Sequence, residues 1–436
     1  MKTGSDTQLL TRLLPLVALN MLAVFLMQLV IFARLGVGTI TDVFLAAGAV
    51  PQFALGILAA IAASVLVPFF AGESRDQQAA DAWRLIVVFG AVFLLAAGVL
   101  VLAADLWVNW LFPGFAPEMA ELCVSLAKIQ LFAMVFSAAN SVVTALFQAN
   151  GRFVTIELLT LGVLGSVVAG LYFTLPVYGI HAAAWIVALA SLAQSVLLLP
   201  MLGRPRFAPG ASNRLKPVWY RLRHVLTANL YYKSDILVDR YLLSMAPPGG
   251  MTLFSLAQQI YGGASSVFGK VWGNTAIPHL AECAKKGDYA AFRRMYRRGC
   301  LRLLLSSTLV YLAVLQVGAP LLKIVLGFAN LSEVRVEELV LLLAYLGGTL
   351  VFASLGVIVT GAYYALGDTR TPTYFSMASF SLFVVFKIYA FQQFGVVGIA
   401  LAASGLFAFD ALCLAAWLPR VVRARARAID KISASS

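Results

Sequence analysis

Charge is scarce in this sequence, and acidic charge scarcer still. Asp, Glu, Lys and Arg make up 12% of the 436 residues, with 19 acidic side chains against 32 basic ones. An ordinary soluble domain carries about 25% charged residues, so a water-soluble fold for the whole chain is excluded. Histidine occurs three times, as His181, His224 and His279, far apart in sequence. The four cysteines, Cys123, Cys283, Cys300 and Cys413, show neither CxxC nor Cys/His spacing, which excludes a zinc site and a disulfide framework. The sequence also lacks GxxxxGK[ST], HExxH and GxSxG. Hydrolytic, redox and nucleotide-driven chemistry therefore have no residues to work with. The chain is read as a non-enzyme without a cofactor or metal.

Apolar residues are present in excess, at 61%, with a mean hydropathy of +0.90. They fall into runs long enough to cross the roughly 30 Å hydrocarbon core as helices. The predicted spans are 8-34, 42-71, 84-111, 119-149, 153-175, 180-202, 223-245, 251-281, 300-327, 337-366, 372-393 and 396-418, twelve in all. The first run exceeds a signal-peptide core and is taken as a span, with nothing cleaved. The net charge of +13 raises the question of nucleic acid, which the placement of the basic residues answers. The N-terminus and every second loop hold 24 of the 32, including six from Arg204 to Arg223, seven from Lys285 to Arg302 and five from Arg420 to Lys431. The opposite loops hold Arg34 and Arg335. This positive-inside pattern predicts cytoplasmic termini. Anionic membrane lipids are the expected partners of the basic loops, with no nucleic acid.

The hydrophilic break from Arg204 to Arg223 separates six spans from six, and the halves repeat. Phe44 aligns with Phe254, Ala47 with Ala257, Ala54 with Ala264 and Pro68 with Pro278. A second block sets VFSAANSVVTALFQANGRFVT, from Val135, on VFASLGVIVTGAYYALGDTRT, from Val351, and a third sets Gly179-Ile180 on Gly398-Ile399. An even number of spans per repeat predicts an axis along the membrane normal, a transporter architecture. The expected fold is all-α and polytopic, with about 12 transmembrane helices in two six-helix bundles. The expected units are 1-203 as the N-terminal bundle, 204-222 as a linker, 223-419 as the C-terminal bundle and 420-436 as a basic tail. Pro51 and Pro68 predict a bend in span two, since a proline removes a helix hydrogen bond.

Ionisable groups at membrane depth are costly and mark function or tight pairing. In span seven, NLYYKSDILVDRYLLS carries Lys233, Asp235, Asp239 and Arg240, with the two aspartates on one helical face. Two readings stand side by side, a hydrated site for an anionic cargo or coupling cation and a pair of internal ion pairs. Span eight adds Gln259, Lys270 and Asn274, and the first half contributes Gln28 and Asn140. Lys128 is placed to reach an interface, Lys387 to snorkel from a span end, and Asp410 to answer a lysine.

Several segments resemble the MviN/MurJ family, the lipid II flippases of the multidrug/oligosaccharidyl-lipid/polysaccharide (MOP) exporter superfamily. They are FARLGVGTITDVFLAAGAVP from Phe32, LFPGFAPE from Leu111, LVDRYLLSMAPPGGMTLFSLAQQIY from Leu237, AIPHLAE with the basic stretch Arg293 to Arg298, and ALGDTRTP from Ala365. The resemblance implies a flippase of the bacterial inner membrane, with two bundles that open alternately to either side of the membrane. It also implies cavity arginines in spans one, two and eight, where this sequence has Leu22, Gln28, Leu55 and Gln259, and fourteen spans against the twelve counted here.

The expected function is outward flipping of a polyprenyl-diphosphate-linked saccharide, a peptidoglycan or exopolysaccharide precursor. Lys233, Arg240 and Lys270 would offset the diphosphate, and Gln28, Gln259, Asn274 and Asn140 would bind sugar hydroxyls. Asp235 and Asp239 would answer a coupling ion, H+ or Na+, with the membrane potential as the other drive. Two alternatives stay open: a cation-coupled multidrug antiporter of the same superfamily, and a transport-inactive scaffold that recruits a glycosyltransferase or polymerase.

Overall fold

A computed structural model of the chain describes residues 3–203, 212–318, 320, 322 and 332–433. Among the described residues there is no strand. The helices are α1 (Thr3–Leu35), α2 (Thr39–Ala47), α3 (Ala49–Ile61), α4 (Val67–Phe70), α5 (Arg75–Leu102), α6 (Ala104–Leu111) and α7 (Pro117–Ala149). There follow α8 (Phe153–Leu198), α9 (Ser212–Lys233), α10 (Asp235–Ser244), α11 (Gly250–Lys285), α12 (Tyr289–Ala313), α13 (Glu333–Ala365) and α14 (Arg370–Ser433).

Eight stretches are long and apolar enough to cross a membrane. Two of these, Phe153–Leu202 and Arg370–Arg425, are 50 and 56 residues long, too long for one crossing. Each breaks once, at Gly179 (φ 60°, ψ −149°) and at Gly395 (φ 59°, ψ −137°). That backbone region is open essentially to glycine alone. Two further helical segments of crossing length are the more polar α9 continued by α10, and α11. The described residues thus supply twelve helical segments long enough to cross, the number that the apolar runs predict. The third repeat block needs correction: the backbone pairs Gly179 with Gly395 rather than Gly398, because the corner demands a glycine with positive φ.

Span two is interrupted, as its prolines lead one to expect, but not at the prolines themselves. It breaks at Gly48 between α2 and α3, then widens to a π-turn over Ala62–Leu66 just before Pro68. Pro68 has no N–H to give to the turn behind it, and a wider turn accommodates the loss.

The chain divides into two compact units, Met1–Thr252 and Leu253–Ser436. The division falls inside α11, so α9 and α10 belong with the first unit; of the linker, residues 204–211 lie outside the described residues. In the first unit Leu58, Val65, Leu66 and Phe70 of span two close against Leu85 of α5, Val142 and Ala145 of α7 and Leu198. In the second, Phe292, Val359, Tyr363 and Leu414 form the core, and the buried Tyr363 hydroxyl donates to the Leu414 carbonyl at 2.8 Å. Outward faces are apolar too: Leu95, Val99 and Leu102 of α5 are 72%, 65% and 87% exposed, the inverse of a soluble helix and suited to lipid tails.

Candidate functional site

Three of the five family-like segments meet in the first unit. After α1 the chain turns at Gly36, whose φ of +78° only glycine adopts readily. The Thr41 hydroxyl then accepts the Gly38 N–H at 3.1 Å and donates back to a loop carbonyl, which fixes the entry to α2. Asp42, next in sequence, is 5% exposed. Its Oδ2 accepts the Gly249 N–H at 2.6 Å, and its Oδ1 accepts the Thr252 N–H at 2.8 Å and the Thr252 hydroxyl at 2.6 Å. The first N–H groups of a helix have no intrahelical acceptor. Asp42 supplies one from another segment to the start of α11, where the helix dipole also favours a negative charge. The turn that presents these N–H groups is dictated locally: Pro247 and Pro248 stop α10, and Gly249, at φ +90°, admits the reversal.

Arg240 lies in the same cluster, 5% exposed, attracted by the carboxylates of Asp239 and Asp42. Gly114 of LFPGFAPE packs on the backbone of Ser244 and Met245 so closely that a Cβ would collide with it. The cluster thus fastens the loops after α1, α6 and α10 to one another.

A second feature of this unit is a cavity of about 310 Å³ lined by Leu55, Leu58, Ala59, Ala62, Ala63, Ser137, Asn140, Ser141, Thr144, Gln148 and Gln194. The π-turn before Pro68 contributes Ala62 and Ala63 to its wall. Its chemistry is that of a neutral hydrogen-bonding surface on an apolar floor, with no charged side chain among the described lining residues. Asn140 is already engaged: its amide nitrogen donates to the Ser191 carbonyl at 3.0 Å and its oxygen accepts the Ser195 hydroxyl at 2.8 Å. It ties α7 to the second half of α8.

The other predicted site residues are placed as follows. Lys233 ends α9 with an exposed side chain whose aliphatic stem lies over Gly56 of α3, and it makes no ion pair among the described residues. Asp235 is half-buried at the start of α10, and Asp239 is 4% exposed beside Arg240. The side-chain oxygens of Gln28 and Gln259 are buried without a hydrogen-bond partner among the described residues. Lys270 and Asn274 lie on α11, but their side chains are outside the described residues. At the positions where the resemblance implies arginines, Leu22 and Leu55 are 50% and 40% exposed.

Two expectations are overturned. Asp410 answers no lysine among the described residues; Ser376 donates to its Oδ2 at 2.7 Å, because α14 folds back at Gly395 and brings 376 beside 410. Lys387 does not snorkel: it is 1% exposed, held inside the unit. Lys128 lies 3.9 Å from Asp105, with both side chains partly exposed. Sequence reasoning passed over Asp42 and Thr252 as functional candidates. A signal was present, since the alignment of Phe44 with Phe254 sets Asp42 on Thr252. It also passed over Glu157, whose carboxylate accepts the Asn20 amide at 2.6 Å.

Comparison with known proteins agrees with this architecture. A probable lipid II flippase MurJ of Bdellovibrio bacteriovorus is 20% identical over 379 residues, 83% of this chain and 72% of that protein. A structure of lipid II flippase MurJ in an inward closed conformation superposes with a TM-score of 0.78 at 16% identity, covering 96% of this chain and 90% of the other. An inward-facing MATE family multidrug resistance transporter of the MOP superfamily superposes at 0.74 and 14% identity, covering 92% and 94%. The fold is therefore the all-α fold that these two structures share, with several helices long and apolar enough to cross a membrane. The model of the family described as Lipid II flippase MurJ matches residues 31–434, nearly the whole chain, and the chain belongs to that family.

Proposed function

We propose that the chain flips a polyprenyl-diphosphate-linked saccharide, a peptidoglycan or exopolysaccharide precursor, outward across the bacterial inner membrane, with both termini in the cytoplasm. The observation that carries this is the family match over residues 31–434. Lipid II is the cargo that the relatives' names give, and lipid-linked saccharides share its diphosphate and sugar chemistry. The cargo's two phosphates need cations at membrane depth. Lys233, exposed and without an ion pair among the described residues, serves as one and Lys270 as another. Arg240, buried beside Asp239 and Asp42, holds the loop cluster in place and sets the local field. Gln28 and Gln259, whose oxygens lack donors among the described residues, accept sugar hydroxyls together with Asn274, while Asn140 positions the polar cavity wall. Asp235 and Asp239 respond to H+ or Na+, or to the membrane potential, and a glycosyltransferase or polymerase supplies or receives the cargo.

The test is reconstitution in liposomes with a fluorescent polyprenyl-diphosphate saccharide, scored for movement between leaflets with and without an ion gradient. Protein-dependent movement that falls about tenfold or more in Lys233→Ala with Lys270→Ala supports the assignment, since a charge-assisted contact is worth roughly 1.5–3 kcal/mol. Absence of movement, with counter-transport of a cationic drug instead, would give the antiporter reading that the MATE superposition favours.

A further inference from the structure

The basic stretch of α12 is not used by the transport reading, and its arginines are not spread at random. Arg294, Arg298 and Arg302 recur every fourth residue, so they stand on one face of the helix over about 12 Å. With His279 and Ala276 of α11 and Met295 they line a groove of about 440 Å³ inside the second unit. Nearby carboxylates are committed elsewhere. Glu282 accepts Lys286 at 2.7 Å, and Asp288 caps α12 by accepting the Ala291 N–H at 2.8 Å. Among the described residues, none pairs with Arg294, Arg298 or Arg302. Three guanidinium groups with no counter-charge among the described residues repel one another and suit an anion from outside.

The same face continues toward the membrane interior as Leu305 and Leu309, with Leu301 alongside, and these are 62%, 69% and 57% exposed. A helix face that is arginine at one end and bare leucine at the other matches a phosphodiester headgroup joined to acyl chains. A free phosphate would use only half of it. We infer that this groove binds an anionic phospholipid from the leaflet at the basic end of the helices, its phosphate held by Arg294, Arg298 and Arg302 and its acyl chains lying along Leu305 and Leu309. Arginine suits the task because its planar fork can take two phosphate oxygens at once. His279 adds a donor on the opposite wall, its Nδ1 4.0 Å from the Glu282 carboxylate. The groove shares no lining residue with the cluster around Asp42 or the cavity beside Asn140, and the inference does not depend on the identity of the cargo.

The experiment is native mass spectrometry and thermal unfolding of the purified full chain in a neutral detergent, with phosphatidylglycerol, phosphatidylcholine or inorganic phosphate added in turn. Phosphatidylglycerol is expected to stay bound and raise the unfolding midpoint, and the other two are not. The triple variant Arg294→Gln, Arg298→Gln, Arg302→Gln is expected to weaken phosphatidylglycerol binding roughly a hundredfold, at about one kcal/mol per basic residue near an anionic surface. If that variant fails to fold, Arg→Lys at all three positions keeps the charge and removes the fork, and a fall of about tenfold is expected. Undiminished binding in whichever triple variant folds overturns the site. Equal protection by inorganic phosphate would make it a soluble-anion site instead. Leu305→Asn with Leu309→Asn, if phosphatidylglycerol binding stays at wild-type strength, would sink the acyl half of the assignment.

Discussion

Asp42 is one carboxylate that satisfies two backbone N–H groups and a hydroxyl while facing a buried guanidinium. Asp42→Ala should cost about 3–5 kcal/mol in denaturant unfolding, because Arg240 would lose part of its counter-charge at the same moment as the helix start loses its acceptor. Thr252→Val removes only the hydroxyl's contacts with Asp42 and Thr41 and should cost about 1–2 kcal/mol. A cost for Asp42→Ala no larger than that for Thr252→Val would show that Arg240 leans on Asp239 alone. At the solvent-exposed end of α11 the lesson is different. The Lys286 ammonium holds the Glu282 carboxyl below its ordinary range. A depressed folded-state value means that the stabilisation is present above the unfolded value and is lost as pH falls through the folded one. Acid titration of unfolding should therefore lose a small component in Glu282→Gln, and the loss should be absent at neutral pH in high salt, where an exposed pair is screened.

At the scale of elements, corners matter more than spans. Gly179 and Gly395 each turn one long apolar stretch into two passes through a backbone conformation closed to side chains. Gly179→Ala and Gly395→Ala should each destabilise by about 1–3 kcal/mol although open space surrounds both Cβ positions. Alanine at Gly90, which is helical and also has open space, provides the control and should be neutral or slightly stabilising. Span two behaves in the same spirit. Its π-turn answers the missing N–H of Pro68, and it supplies part of the polar cavity wall, so the proline shapes the cavity without lining it.

For the whole molecule the solvent is lipid, and the exposed apolar surface is the evidence. Leu95 of α5, 72% exposed, sits in a stretch with a mean hydropathy of 3.0. Leu95→Lys should lower the membrane-integrated fraction after expression, by about 2.5–3.5 kcal/mol of insertion energy at mid-span, whereas Leu95→Ala should leave it nearly unchanged. Equal insertion of both variants would place that face against protein or water.

The sequence by itself determined that the chain crosses a membrane about twelve times, because a span needs only some twenty apolar residues in a row and a polar loop at each end. It determined the repeat and the family resemblance through segments such as FARLGVGTITDVF, and it marked Asp239 and Arg240 as unusual through their depth alone. Partnership was beyond it. A carboxylate at 42 and a helix start at 249–252 are separated by more than two hundred residues, and nothing local says that one caps the other. Likewise Asp410 takes its hydrogen bond from Ser376, and Lys387 is buried rather than drawn to the interface, because chain reversal at Gly395 decides what stands beside each. Hydropathy and loop charge are sums over neighbours in sequence and do not depend on the fold. Hydrogen bonds and ion pairs act over about 3–4 Å in space, and only the tertiary structure brings their partners within that reach.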